Sequence, residues 1–295
     1  MTSDNKQMQW IAHAALAAFS IACVVPFLLL IMSSVSSEQT ILKHGYSFFP
    51  KEFSLSAYHY LWDNWRSLGR AYGITVLITI VGTSVSLAMT SMFAYPISRR
   101  DLPWRNFWTF FVFFTLLFNG GLVPAYLIYT KLFVIKNTIW ALIVPGLLMN
   151  GFNVLLVRTF FVTSVPPALI EAANIDGCGE IKAFYKIVLP LSLPIMATIG
   201  LMQSILYWND WFNGMTYVTD SKLFSIQNIL NRMMTEIQFL SSDPNMSTSA
   251  SETIAQLPSA TVRMAIAVVG VLPILVAYPF FQKYFVKGIT IGAVK

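Results

Sequence analysis

The sequence predicts an all-α membrane protein, a bundle of about six transmembrane helices. Three features carry that expectation. Of its 295 residues, 56% are hydrophobic and only 11% are charged, where a soluble domain carries nearer about 25% charged. Its mean hydropathy is +0.64. Apolar stretches of about 18 residues or more recur along the chain, long enough to cross a bilayer core as helix.

The first stretch covers residues 11–32. It is too long for the core of a signal peptide, and Lys6 alone precedes it as a basic residue, so it reads as an uncleaved anchor. The others cover 71–97, 107–130, 138–157, 191–209 and 264–281, and the whole chain, 1–295, reads as a single transmembrane domain. Pro26, Pro124, Pro145, Pro194 and Pro273 fall inside these stretches, and Gly120-Gly121 interrupts the third. Proline is tolerated in a membrane helix where neighbours or water satisfy the freed carbonyls. Such positions read equally as ordinary kinks and as the bends of a moving path.

Six spans put both termini on one side. Lys6, Arg99, Arg100, Arg105, Arg158, Lys182, Lys186, Lys283, Lys287 and Lys295 then share that side. Basic residues accumulate on the cytoplasmic face, so both termini are expected there. On the other side lie two longer segments, 33–69 and 213–262. The second contains the polar run LSSDPNMSTSASET. The formal charge of +6 comes from residues at span ends, not from a basic patch for nucleic acid.

Several chemistries have no residues to carry them. Cys23 and Cys178 make no disulfide framework, and His13, His44 and His59 stand apart, so no metal site is expected. No GxxxxGK[ST] loop, HExxH or GxSxG occurs, so no catalytic residue is assigned and no cofactor is expected on this chain. The spans hold almost no ionisable side chain; Asp210 sits at a span end. Proton- and voltage-driven machines place such groups in mid-membrane. A transporter built this way takes its energy from a partner, which argues against a self-sufficient secondary transporter.

The longest cytoplasmic loop, about 158–190, reads SVPPALIEAANIDGCGEIKAFYKIVLPLSLP from Ser164 to Pro194. Pro166-Pro167 suits a helix start. Glu171 lies in the first turns, where the helix dipole favours its charge. Gly177 suits a left-handed helix end, and Gly179 loosens the turn. Ile181, Phe184, Ile187 and Val188 then recur at helical spacing and give an apolar face. A helical hairpin of this kind can pack on its own bundle, lie on lipid, or dock in a partner's groove.

At fixed spacing, Glu171, Ala172, Ala173, Asp176, Gly177, Ile187, Leu189 and Pro190 resemble the EAA loop of binding-protein-dependent ABC importer permeases. Cys178 stands where that pattern commonly has alanine, a small-for-small exchange. The tail from Tyr284 to Lys295, YFVKGITIGAVK, is similar to that of the second permease of maltose-type sugar importers, and more closely of the LplC-like permeases, although a customary final glycine is absent. The resemblance implies a type I importer permease in a bacterial cell membrane, paired with a second permease, two cytoplasmic ATPase subunits that hold ATP and Mg, and an extracytoplasmic solute-binding protein. It implies an oligosaccharide cargo, acidic or plant-derived. The EAA residues would couple to the ATPases. Lys287, Gly288, Thr290, Gly292 and Lys295 of the tail would reach the ATPase interface as an irregular peptide, since Gly288 and Gly292 disfavour helix. The 213–262 segment would reach the binding protein.

Tyr207, Trp208, Asn209, Asp210 and Trp211 close the fifth stretch. Sugars stack apolar C–H faces on aromatic rings and pair hydroxyls with amides and carboxylates. These residues are therefore candidates for the sugar pathway. An aromatic belt at the bilayer surface is the competing reading.

Overall fold

A computed structural model describes residues 4–242 and 259–293. The described residues are helical, with only an isolated bridge between Ser36 and Phe53 in place of a sheet. The chain groups into two compact units, one from Met1–Leu68 and Leu230–Pro273, the other from Gly69–Ile229 and Ile274–Lys295.

In the first unit, α1 (Asp4–Ser34) is a helix whose apolar part, Met8–Ser34, is long enough to cross a bilayer and has no buried residue in its most apolar window. Short helices α2 (Glu38–His44) and α3 (Ser56–Asp63) follow. The Ser34 and Tyr58 hydroxyls pair at 2.8 Å, and the Ser37 N–H donates to the Glu52 carbonyl at 3.0 Å. Glu38 reaches the far end of the sequence. Its carboxylate accepts the N–H groups of Ala260 and Thr261 at 3.0 and 2.9 Å and the Thr261 hydroxyl at 2.6 Å. These donors open the last helix, so a carboxylate from residue 38 caps it and meets its positive end.

Helix α4 (Trp65–Ser98) is the other uninterrupted span and contains the second predicted stretch. The third, fourth and fifth stretches are broken, whereas the sixth lies within one helix, Ser259–Ala293. In the third, α5 (Arg105–Leu117) and α6 (Leu122–Leu127, continued by a π turn to Leu132) meet at 109°. Gly121 sits at φ +86°, open to glycine at no steric cost, and its N–H donates to the Asn119 side chain at 2.9 Å. The fourth stretch, expected at 138–157, is corrected more strongly. Only α7 (Trp140–Ile143) precedes a break at Pro145-Gly146. The long helix here, α8 (Gly151–Ser164), starts at an Asn150 cap and runs seven residues beyond the predicted end.

Helices α9 (Pro167–Ile175) and α10 (Glu180–Ala183) form the predicted hairpin. A π turn (Phe184–Val188) and α11 (Leu189–Leu191) lead into α12 (Leu193–Trp208) across an 80° bend at Ser192. Pro190 and Pro194 flank that bend; each removes a ladder donor, and the π turn absorbs the mismatch. Helices α13 (Phe212–Tyr217), α14 (Ile226–Ser242) and α15 (Ser259–Ala293) complete the chain. The polar part of the 213–262 segment, 243–258, lies outside the described residues, as does Lys295. Among the described residues two helices are long and apolar enough to cross a membrane, or up to five if each bent pair is one span.

Candidate functional site: the helical hairpin and the broken spans

The hairpin grows from α8 through a 76° turn at Val165-Pro166. Pro166 is the extended cap and Pro167 the first helical residue, where the missing N–H costs no intrahelical bond. At the other end the Cys178 N–H donates to the Ala173 carbonyl at 2.8 Å and the Gly177 N–H to the Asn174 carbonyl at 3.0 Å. This is the Schellman arrangement, and Gly177 takes the left-handed conformation it demands, φ +76°. Gly179 has negative φ and caps α10 in an extended conformation.

The EAA residues divide by role. Ala173 is buried with Ile170. Ile187 is half-buried, and Leu189 packs against the same core, which includes Phe184 and Val188. These residues seat the hairpin on its own unit. Glu171, Ala172, Asp176 and Gly177 are exposed, as is Pro190. Among the described residues Glu171 has no ion-pair or hydrogen-bond partner. It lies in the middle of α9, not in its first turn, so the helix dipole is not what holds it. The apolar face expected through Ile181 splits. Phe184 and Val188 enter the core, while Ile181 is 76% exposed and Ile175, at the end of α9, is 86% exposed. Fully burying such a side chain is worth about 1.5–3 kcal/mol, so these two residues supply a drive to dock that the chain itself leaves unused. A cleft of about 360 Å³ opens at the start of α9, lined by Arg99, Arg100, Phe161, Val165, Ile170 and Glu171.

Sequence reasoning missed Glu180. Its carboxylate accepts the Tyr95 hydroxyl at 2.8 Å and the Arg99 guanidinium at 3.2 Å. Arg99 also grips Asp101 with two bonds of 2.9 Å. The charge-assisted pair with Arg99 holds the Asp101 carboxyl below its ordinary value. The hairpin turn is thereby tied to the short basic loop that follows α4. Arg99 was legible only as a topology signal; its partner is 81 residues away.

A second cluster explains the break in the fourth stretch. The Tyr207 hydroxyl donates to the Ile143 carbonyl at 2.8 Å, the Asn213 amide to the Pro145 carbonyl at 2.9 Å, and the Gln203 amide to the Leu147 carbonyl at 2.6 Å. Three alternate carbonyls, from the last residue of α7 through the break that follows it, are thus satisfied by side chains of α12 and α13, as buried backbone away from water requires. The Asn153 amide donates to the Gln203 side-chain oxygen at 3.3 Å and ties α8 into the same network.

This geometry sorts the five pathway candidates. Tyr207 has 0% exposure, its ring packs against Gly82 and its hydroxyl is spent. It is an internal brace with no face left for a sugar. Trp208 is likewise buried. Asn209 and Trp211 are exposed. Asp210 is half-buried: one oxygen accepts the Asn213 N–H at 3.2 Å, and the other is buried without a hydrogen-bond partner among the described residues. That burial pushes its carboxyl above the ordinary aspartate value.

The tail expectation is corrected. Lys287, Gly288, Thr290 and Gly292 lie on helix α15, which continues to Ala293. A glycine costs a helix about 1 kcal/mol, too little to end one already 29 residues long by Gly288.

Bent apolar helices that carry an exposed helical hairpin fit a membrane permease subunit. The chain belongs to the family of binding-protein-dependent transport system inner membrane components, whose sequence profile matches residues 105–291. Relatives extend the likeness to the whole chain. The polygalacturonan/rhamnogalacturonan transport system permease protein YtcP of Bacillus subtilis (strain 168) is 36% identical over 291 residues, 99% of each chain. Protein LplC of the same organism is 38% identical over 272 residues, 92% of this chain and 89% of that one. Among solved structures, a chain of a bacterial ABC transporter involved in the import of the acidic polysaccharide alginate superposes with a TM-score of 0.80 at 25% identity, covering 97% of this chain and 99% of that one.

Proposed function

We propose that this chain is one of two permease subunits of an ATP-driven importer for acidic oligosaccharides, and that the hairpin at Glu171–Pro190 transmits ATPase motion to the spans. The observation that supports the coupling role most directly is the division of the EAA residues. One set roots the hairpin in the core, while Glu171, Asp176 and Gly177 face outward beside the exposed Ile175 and Ile181. A partner groove that covers the two isoleucines gains apolar burial, and a basic residue in it meets an unpaired carboxylate.

In this reading ATP and Mg are held by two cytoplasmic ATPase subunits, and a solute-binding protein delivers cargo on the opposite side. Both termini and the hairpin are then cytoplasmic. Helix α15 carries Lys287, Gly288, Thr290 and Gly292 toward the ATPases. Asn209 and Trp211 are the pathway residues with faces left for cargo; Asp210 contributes a carboxyl whose charge is already disfavoured by burial. The names of the permease YtcP and of the alginate importer support an acidic cargo.

The test of cargo is ATP hydrolysis by the importer reconstituted with its cognate binding protein. Oligogalacturonides or other uronate oligomers are expected to stimulate it, and neutral oligosaccharides of equal length are not. Stimulation by neutral sugars alone would overturn the assignment of acidic cargo and leave the permease assignment intact.

A further inference from the structure

The segment between α1 and α4 presents a surface that transport chemistry does not use. Phe49, Phe53 and Trp62 are 86%, 75% and 78% exposed, and Tyr60 and Trp65 are exposed beside them. Exposure on this scale is not a loose chain. Ser34 and Tyr58 pair their hydroxyls, and the Ser54 N–H donates to the Val35 carbonyl at 2.9 Å. Ala57, on the inner face of α3, is buried. The segment is pinned from beneath while its rings point outward.

Its place along the chain sets those rings close to the membrane surface. The apolar run of α1 ends at Ser34 and the next span starts at Trp65, so 35–64 lies wholly on one side of the membrane, with both ends at the bilayer surface. The outward side chains mix apolar rings with polar tips: Tyr60 and Trp62 on α3 stand beside His59, Asp63 and Arg66, all exposed. Amphipathic rings of this kind partition to the headgroup level, where one edge is apolar and the other wet. The exposed surface also continues from α1, whose apolar residues are unburied within the chain.

We propose that residues 46–65 form an interfacial collar that rests on the lipid headgroup and upper acyl region, with Phe49, Phe53 and Trp62 inserted. The collar fixes the height of α1 and α4 in the membrane. It is independent of the cargo and of the ATPase contact.

The experiment uses the assembled importer in nanodiscs of phosphatidylethanolamine and phosphatidylglycerol. Nitroxide labels are placed at Phe49→Cys, Phe53→Cys and Trp62→Cys in a background with Cys23→Ser and Cys178→Ser, with Leu55→Cys as a further reporter on the same exposed surface. Collision rates with oxygen, which concentrates in lipid, and with a water-soluble nickel chelate are compared. Oxygen is expected to exceed the chelate at all three positions, with the order reversed at Lys51→Cys. Chelate access exceeding oxygen at all three would place the collar in water. Shielding from both reagents would mean that a protein partner covers it. Either result overturns the proposal.

Discussion

Arg99 and Glu180, 81 residues apart, meet at 3.2 Å and fasten the hairpin turn to the loop after α4. The Arg99 side chain is only 18% exposed and is held on its other side by Asp101. Glu180 is more open, so solvent discounts the pair to about 1 kcal/mol or less. Its value lies in orientation. Glu180→Gln is expected to keep assembly and melting temperature near wild type but to lower the ratio of cargo imported to ATP hydrolysed. The reciprocal exchange Arg99→Glu with Glu180→Arg should recover part of that ratio. A ratio unchanged in Glu180→Gln would remove the tether from the coupling path.

The braces on the broken stretch should behave differently. Gln203→Leu, Tyr207→Phe and Asn213→Leu each leave a buried carbonyl unpaired, a cost of about 1–3 kcal/mol apiece. A lowered melting temperature of the purified permease pair is expected for all three. By contrast, Asn209→Ala and Trp211→Ala should leave melting unchanged and reduce uptake. Normal melting in the three brace variants would show the hydrogen bonds to be dispensable, and normal uptake in the other two would remove them from the pathway.

Much of this was legible in the sequence, and the losses have one cause. Pro166-Pro167 and Gly177 announced the hairpin because helix starts and left-handed ends are local chemistry, and the structure has both at those residues. The hydrophobic stretches were legible as apolar sequence but not as straight helices. Hydropathy cannot distinguish 138–157 as one span from a short helix, a break at Pro145-Gly146 and a helix restarting at Gly151, because the groups that make the break tolerable come from α12 and α13. The bracing role of Tyr207 was hidden for the same reason. Its composition suits a sugar, but its hydroxyl is claimed by a carbonyl 64 residues away. Glu180 carried no signal at all without Tyr95 and Arg99 beside it.

Asp210 gives a pH signature. Its folded-state value is raised by burial, so the charged form is penalised and the site becomes less favourable as pH rises through the ordinary aspartate range and above. Thermal stability of the wild type should therefore gain from this site as pH falls toward the ordinary aspartate value, and Asp210→Asn should flatten that part of the profile. An identical pH profile in the variant would show that burial does not disfavour the charged carboxyl.

Glu38 is a cap placed far from its helix. Glu38→Ala removes three acceptor contacts at the start of α15, and a loss of about 0.5–2 kcal/mol is expected. Amide exchange at Ala260 and Thr261 should accelerate; unchanged exchange there would mean that another group takes over the cap.

The coupling assignment is tested most directly at the hairpin's outer turn. A Cβ built on Gly177 meets nothing within 4 Å. The intramolecular cost of a β-carbon there is therefore the positive φ, about 1–2 kcal/mol. The decisive measurement is co-purification of Gly177→Trp and Glu171→Lys with the ATPase subunits, followed by cargo-stimulated ATP hydrolysis in nanodiscs. Both variants are predicted to insert in the membrane and to lose the ATPases or their stimulation. Wild-type ATPase stoichiometry and coupled uptake in both would contradict the hairpin's role as the coupling element.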